Sequence, residues 1–420
     1  MPIEKSHLCP TLPISLRLIN QVAVLLKKAG LLSVRGLSPE KLLKFAQEKT
    51  KLTNFGDERF VEHLRVIMRT FEEDNHLSYL GERTLLSLIK SALNRRLFLE
   101  RDFQVHSEIL QIPIKQPIVV VGFPRTGTTL LQTLLLHHPG CRWLRQWEIE
   151  EPFPTVPGTW GSSKDPRRWR FEAGIKKLPQ NGFYQALNNI HPLDSPEECW
   201  QLFVPTFVFN EILIIAGFDR YKQWLDNISE HTWREVYHYY KQYLQYLSWH
   251  QPGCHWVVKY PGHIKNLGTL LELFPDARII QLHRDPNKFV PSSCSNTFIH
   301  QCMFFKNPNP KKIGSEILTV LSEWERKNLA LRKALDPKSF YDVHYQELVE
   351  TPMEVVKNIY DYFQMEWPVE MESNLNQWLI NRHEKNRPHH QYSLAQFGLT
   401  PAKITREFEE YCEYFRVRYE

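Results

Sequence analysis

The chain has 420 residues, 42% apolar and 24% charged, the balance of a soluble globular protein and enough for two or three domains or one large α/β domain with additions. Lys and Arg total 52 against 47 Asp and Glu, a formal charge of +5; this is too even for a protein held to nucleic acid by bulk charge, although a local anion site stays open. Disordered, collagen-like and disulfide-dense classes are excluded, and aromatics at 13% with 12 Trp point to large aromatic-lined cores or pockets.

Seven cysteines (Cys9, Cys141, Cys199, Cys254, Cys294, Cys302 and Cys412) are odd in number, scattered and free of any C-x-x-C. That removes zinc and thioredoxin-type readings and suggests a reduced, cytoplasmic protein. The N-terminus lacks a signal-peptide pattern. Its best apolar stretch, 12–32, is interrupted by Arg17, Asn20, Gln21, Lys27 and Lys28, so it reads as an amphipathic helix and not a membrane span, with an interfacial helix as the lesser alternative.

In chain order, residues 12 to about 105 read as helices, with apolar positions at three and four spacing in Leu42-Leu43-Phe45 and Leu64-Val66-Ile67-Phe71. This makes 1–112 a helical N-terminal region and 113–420 the main α/β domain. At Pro117 the character changes. Ile118-Val119-Val120-Val121 suits a buried parallel strand. It runs through Gly122-Phe123-Pro124-Arg125-Thr126-Gly127-Thr128-Thr129 into the helical run Leu130–Leu136, the context that makes an anion-binding loop credible. Residues 148–200, rich in Pro, Gly and aromatics, suggest a cap of loops and short helices extending to about 250. His255–Lys259 and Ala277–His283 read as strands with a helix, Ile264–Phe274, between them, a βαβ unit with a parallel, right-handed crossover. Lys306–Lys312 reads as a mobile loop, Phe340–Tyr345 as a fourth strand, and Pro352 starts a helix through Phe363.

The first loop keeps the G-x-x-x-x-G spacing of an NTP-binding loop but has Thr128 where the Lys would stand, and Arg125 supplies the charge. Backbone N–H groups around Thr126 to Thr129, the helix N-terminus and the hydroxyls of Thr128 and Thr129 can all donate to one phosphate. No acidic residue ends an apolar run to hold Mg²⁺, so a metal-free nucleotide site fits better than an ATPase. A plain strand-to-helix turn is the weaker alternative. In the second loop Arg284 stands at a strand end, and Ser292 follows about two turns into a helix starting at Pro286, with Pro291 tolerated as a kink. Both can reach one anion. On this segment alone, an Arg284–Asp285 surface pair with a capping role is equally open.

Together the two loops resemble the sulfotransferases that use 3′-phosphoadenosine 5′-phosphosulfate (PAPS). Gly122–Thr129 resembles their 5′-phosphosulfate loop, and Arg284 with Ser292 resembles their 3′-phosphate motif. Further likeness to the bacterial-type family lies in Trp256–His263, Leu273–Ile280, His283–Pro286, Asp342–Leu348, His390-Gln391-Tyr392 and Phe397-Gly398-Leu399. The resemblance implies a P-loop-like parallel sheet flanked by helices, PAPS as sulfuryl donor with 3′-phosphoadenosine 5′-phosphate (PAP) as product, and no metal. It also implies donor contacts from Arg125, Thr126, Gly127, Thr128, Thr129, Arg284 and Ser292, and from Arg387, His390 and Tyr392 closing over the donor. The family's Lys in the first loop is Arg125 here, its adenine-stacking Trp is Leu130, and its Lys-Thr-His run becomes Lys259-Tyr260-Pro261-Gly262-His263.

Sulfuryl transfer needs cations on the transferring group and a base for the acceptor hydroxyl. Arg125 and Lys259 are the candidate cations. Glu148, beside Trp147, and His191 stand nearly level as base, with His263 behind. Ser195-Pro196-Glu197-Glu198 reads as a helix start, Ser195 capping and Glu198 closing the box. Trp147, Phe153, Trp160, Phe183, Tyr184, Trp200, Phe203 and Phe207 can line an acceptor pocket, though ordinary core is the better reading for most. The acceptor expected is an apolar or glycolipid-like hydroxyl compound. A P-loop kinase or NTPase, and a non-catalytic nucleotide-binding protein on the same fold, are the alternatives.

Overall fold

The computed structural model describes residues 13–29, 38–73, 77–153, 159–160, 162, 164–177, 195–209, 211, 217–249, 251, 253, 255–383 and 392–419. At its centre is a five-stranded parallel sheet: β1 (Ile118–Gly122), β2 (Cys141–Arg142), β3 (His255–Lys259), β4 (Arg278–His283) and β5 (Phe340–His344), in the order β2-β3-β1-β4-β5. Every residue of β1 is buried, as an apolar β-branched run covered on both faces requires. Alternation divides the strand between two cores. Val119 and Val121 belong to one cluster with Ile279 and Phe289, whereas Ile118 and Val120 pack with Leu131, Leu134, Val257, Ile280 and Val343 on the other face. The β3–β4 crossover skips a strand, because β1 lies between the two, with Ile118 in register with both Val257 and Arg278. The sequence reading lacks β2, whose two residues are too few to carry a period.

Of the N-terminal helices Ile14–Lys28, Pro39–Thr50, Phe60–Glu73 and Tyr79–Val105, the last three share the larger cluster: Leu42, Leu64, Leu93 and Leu97 belong to it with the sheet's own valines. The long fourth helix is pinned beside the helix Pro286–Phe304. Ser78 N–H donates to Phe304 O at 2.7 Å, and a Cβ on Gly81 would meet that same carbonyl oxygen at 2.2 Å. Pro310, Pro337 and Pro352 each stand in the first turn of a helix or 3₁₀ turn. The expected loop at Lys306–Lys312 is therefore shorter, ending where Asn309 caps the helix Pro310–Ala334.

Cys141, Cys199, Cys294 and Cys412 are free and buried. Cys302 is disulfide-bonded, so the expectation of a fully reduced chain does not hold there. Among the described residues no helix is long and apolar enough to cross a membrane.

Candidate active site

The first loop is shaped from inside. Phe123 is fully buried and stacks on Phe289, ring centroids 5.0 Å apart. Thr126, also fully buried, directs its hydroxyl (2.7 Å) and its N–H (3.3 Å) at Phe123 O. Thr126 thus closes the loop with groups expected to face the donor. Gly127, at φ 98°, starts the helix Thr128–Leu135, and a Cβ there would lie 2.8 Å from the Tyr345 ring; only glycine fits. Arg125 takes a left-handed conformation, φ 71°, which costs about 1 kcal/mol for a side-chain-bearing residue. That turn leaves its Nε 3.1 Å from Ser292 Oγ.

The second loop meets the first at this point. Arg284 Nη1 donates to Arg125 O at 3.0 Å, and its guanidinium lies 3.8 Å over the Tyr345 ring. Asp285 performs the capping role considered for it, accepting Asn287 N–H at 2.8 Å at the start of Pro286–Phe304, and Pro291 lies inside that helix. Arg125, Arg284 and Ser292 therefore converge, although 159 residues separate the two arginines. A buried relay backs Arg284. Its N–H donates to Tyr411 Oη (3.3 Å), Tyr411 Oη meets His283 Nδ1 (3.3 Å), and His283 Nε2 meets Asp342 Oδ1 (2.9 Å). Arg332 grips both Asp342 oxygens at 2.8 Å. Burial would raise the Asp342 carboxyl, but its bonds to Arg332 and His283 outweigh this and hold it well below the usual range. Beside Arg284 opens a cavity of about 720 Å³, whose wall includes Tyr345, Gln346, Arg416 and Arg418.

Lys259, in register with Val120, is 1% exposed and not a solvated strand end. Its Nζ donates to Thr129 Oγ1 at 3.2 Å and pairs with Glu198 Oε1. Cys199 N–H donates to Lys259 O at 3.1 Å, holding the 195–199 segment against the strand end. The capping box expected at Ser195 and Glu198 is not formed. The helix begins at Trp200 with Cys199 at its N-cap and no side-chain cap, because Glu198 is drawn to the buried ammonium instead. Sequence reasoning passed over this residue, since nothing in a Ser-Pro-Glu-Glu run points to a lysine 61 positions on.

The other candidates are dispersed. Glu148, 2% exposed on the short helix Gln146–Glu150, lies between Arg142 Nη1 and Arg145 Nη1, each 3.4 Å from Oε1. His263 is fully buried, its Nδ1 2.9 Å from Tyr237 Oη, in a box of Phe203, Tyr237, Tyr240 and Tyr260 rings. Burial pulls its pKa down to about 3. Tyr392 is partly buried against the main core. His191, Arg387 and His390 lie outside the described residues, as do Phe183 and Tyr184. Phe203 and Phe207 are core, and Phe153 packs at its edge. Among the described residues no cluster of His, Cys, Asp or Glu is arranged to hold a metal ion.

The comparison with protein-family models decides the assignment: the model of the sulfotransferase family matches residues 117–369, more than half of the chain. The chain belongs to the sulfotransferase family. This sulfotransferase is similar to sulfotransferase STF9 from Mycobacterium avium, with a TM-score of 0.80 and 27% identity over 91% of this chain and 97% of that one. It is also similar to sulfotransferase STF1 from Mycobacterium tuberculosis, with a TM-score of 0.76 and 26% identity over 88% and 98%. Among curated sequences it is 23% identical to the omega-hydroxy-beta-dihydromenaquinone-9 sulfotransferase Stf3 of Mycobacterium bovis, over 66% of this chain and 70% of that protein. The matched span holds both loops and Lys259, so the kinase and the non-catalytic alternatives fall away.

Proposed function

We propose that this sulfotransferase takes PAPS as donor and sulfates the hydroxyl of a lipid-like acceptor. The observation that carries the donor is the convergence of Arg125, Arg284, Ser292 and Lys259 around one helix N-terminus. The fit rests on the loop itself. Its first-turn N–H groups have no helical partners, and glycine is required at 127 where backbone approaches Tyr345. The Thr128–Thr129 N–H groups and Arg125 suit the 5′-phosphosulfate; Ser292 and Arg284 suit the 3′-phosphate.

When bound, the donor supplies a sulfuryl group whose bond to the phosphate oxygen breaks as one to the acceptor oxygen forms. Lys259 has three N–H donors. Thr129 and Glu198 take two, and the third is free for the bridging oxygen, where charge develops. Glu198, with its side chain 19% exposed beside that ammonium, is placed to take the hydroxyl proton. Glu148 is held by two arginines, and His263 is sealed among aromatic rings. The lipid-like acceptor is supported by the Stf3 relative, which is named for a hydroxylated menaquinone.

Thermal-shift titration with PAP in EDTA, beside Mg-ATP, tests the donor. A selective rise with PAP is expected, and no rise, or preference for Mg-ATP, defeats the reading. Radiolabelled sulfate transfer to a panel of hydroxylated isoprenoids, phenols and charged glycans tests the acceptor; transfer to glycans alone rejects a lipid.

A further inference from the structure

The helix Ile14–Lys28 packs on the protein by one narrow face. Ala23 is buried, Leu16 is half-buried, and Asn20 Oδ1 accepts the Leu80 N–H at 3.0 Å, fastening the helix to the first turn of Tyr79–Val105. At about 100° per residue, Leu16, Asn20 and Ala23 share one side. Ile14, Leu18, Ile19, Val22, Leu25 and Leu26 fall within about 140° on the opposite side, and all six are between 37% and 68% exposed. With Val24, seven of the sixteen large apolar side chains exposed among the described residues stand on these fifteen residues. The helix also carries Arg17, Lys27 and Lys28 and no acidic residue.

We propose that this outward face is a membrane-docking surface, lying in the headgroup boundary of an anionic lipid bilayer. Charge selects that occupant. An apolar stripe on a helix whose charges are all basic matches an anionic interface, whereas two copies meeting through it would set like-charged helices side by side. Its purpose rests on the lipid-acceptor reading above: docking would bring the donor site to where an acyl or isoprenoid alcohol resides. Its test does not rest on that reading.

Vesicle co-sedimentation of the full chain decides it. The protein should bind vesicles of phosphatidylcholine with about a third phosphatidylglycerol more tightly than vesicles of phosphatidylcholine alone, and salt should weaken binding. Leu18→Glu/Leu25→Glu should lower the affinity at least about 100-fold. Arg17→Glu should lower it about fivefold or more, and only at low salt. Both variants should keep the PAP thermal shift, which shows that they fold. Three results overturn the proposal: no binding by the unaltered protein, binding indifferent to Leu18→Glu/Leu25→Glu, or no vesicle binding together with a self-association that the double variant abolishes. Transfer to a detergent-dispersed alcohol separates the two readings. Its failure with vesicle binding intact removes the acceptor reading alone, and the reverse removes docking alone.

Discussion

Two glutamates, one buried and one half-buried, sit beside cations in this molecule, and their surroundings differ in the respect that matters for proton transfer. Glu148 lies between Arg142 and Arg145 with its side chain 3% exposed. Glu198 faces a single ammonium, that of Lys259, which also holds Thr129 of the donor loop. Two guanidiniums, which never lose their charge, make Glu148 a permanent counter-ion. One ammonium beside a partly open carboxylate makes a pair that can rearrange when charge develops nearby. Under the proposed function, the number and permanence of its partners would set the working carboxylate apart from the structural one.

The largest expected effect is at Lys259. Lys259→Met removes the ammonium bonded to Thr129 and should lower kcat about 1,000-fold. PAP binding by thermal shift should survive, since Arg125, Arg284 and Ser292 remain. An activity loss that merely tracks lost PAP binding would make Lys259 a binding residue and weaken the contrast. Glu198→Gln keeps the shape and removes the proposed base, so kcat should fall about 100- to 1,000-fold with little change in melting temperature. Glu148→Gln should behave oppositely, costing about 2–4 kcal/mol of stability because the buried Arg142 and the half-buried Arg145 lose their counter-ion, while kcat per folded molecule changes little. If the kcat loss appears at Glu148 and the stability loss at Glu198, the roles assigned here are reversed.

Arg284→Ala comes next. Loss of one charge-assisted phosphate contact should raise the donor KM about 10- to 100-fold, with a smaller effect on kcat. Asp342→Asn, which loosens the relay through His283 and Tyr411, should raise KM less and leave the KM of Arg284→Ala unchanged when the two are combined.

What the sequence made legible follows the same division. The donor side was readable because its parts are local: a β-branched strand, a loop with glycines at fixed spacing, and a helix start. Arg284 and Ser292 stood out only through the family resemblance, because on their own segment a surface pair with a capping role was equally open. Strand β2 was not, since two residues have no periodicity. Glu198 was not, since its partner comes from another strand and its neighbours mimic a cap. The aromatic stretch suggested a pocket, yet Phe203 and Phe207 are core, as hydrophobic residues in a large α/β domain more often are.

The smallest effect expected is on pH dependence, and it separates His263 from the base. Burial holds its imidazole neutral down to about pH 3, while in the unfolded chain it protonates near pH 6.5. Between those values the unfolded state binds the extra proton, so stability falls as pH falls, by up to about 2 kcal/mol at pH 5 from this residue. Burial also pulls His255 down to about 4, which adds to the slope below its unfolded pKa. Above about pH 7.5 neither histidine contributes to the slope. His263→Asn keeps a partner for Tyr237 and removes the titration. Urea denaturation at pH 7, 6 and 5 should show a shallower loss of stability for the variant. Its pH–kcat profile between 6 and 8 should match that of the unaltered enzyme in shape, since a histidine neutral throughout that range contributes no inflection. An acid limb that vanishes with His263→Asn would return this histidine to the chemistry, and the sealed box around it would then have to open during turnover.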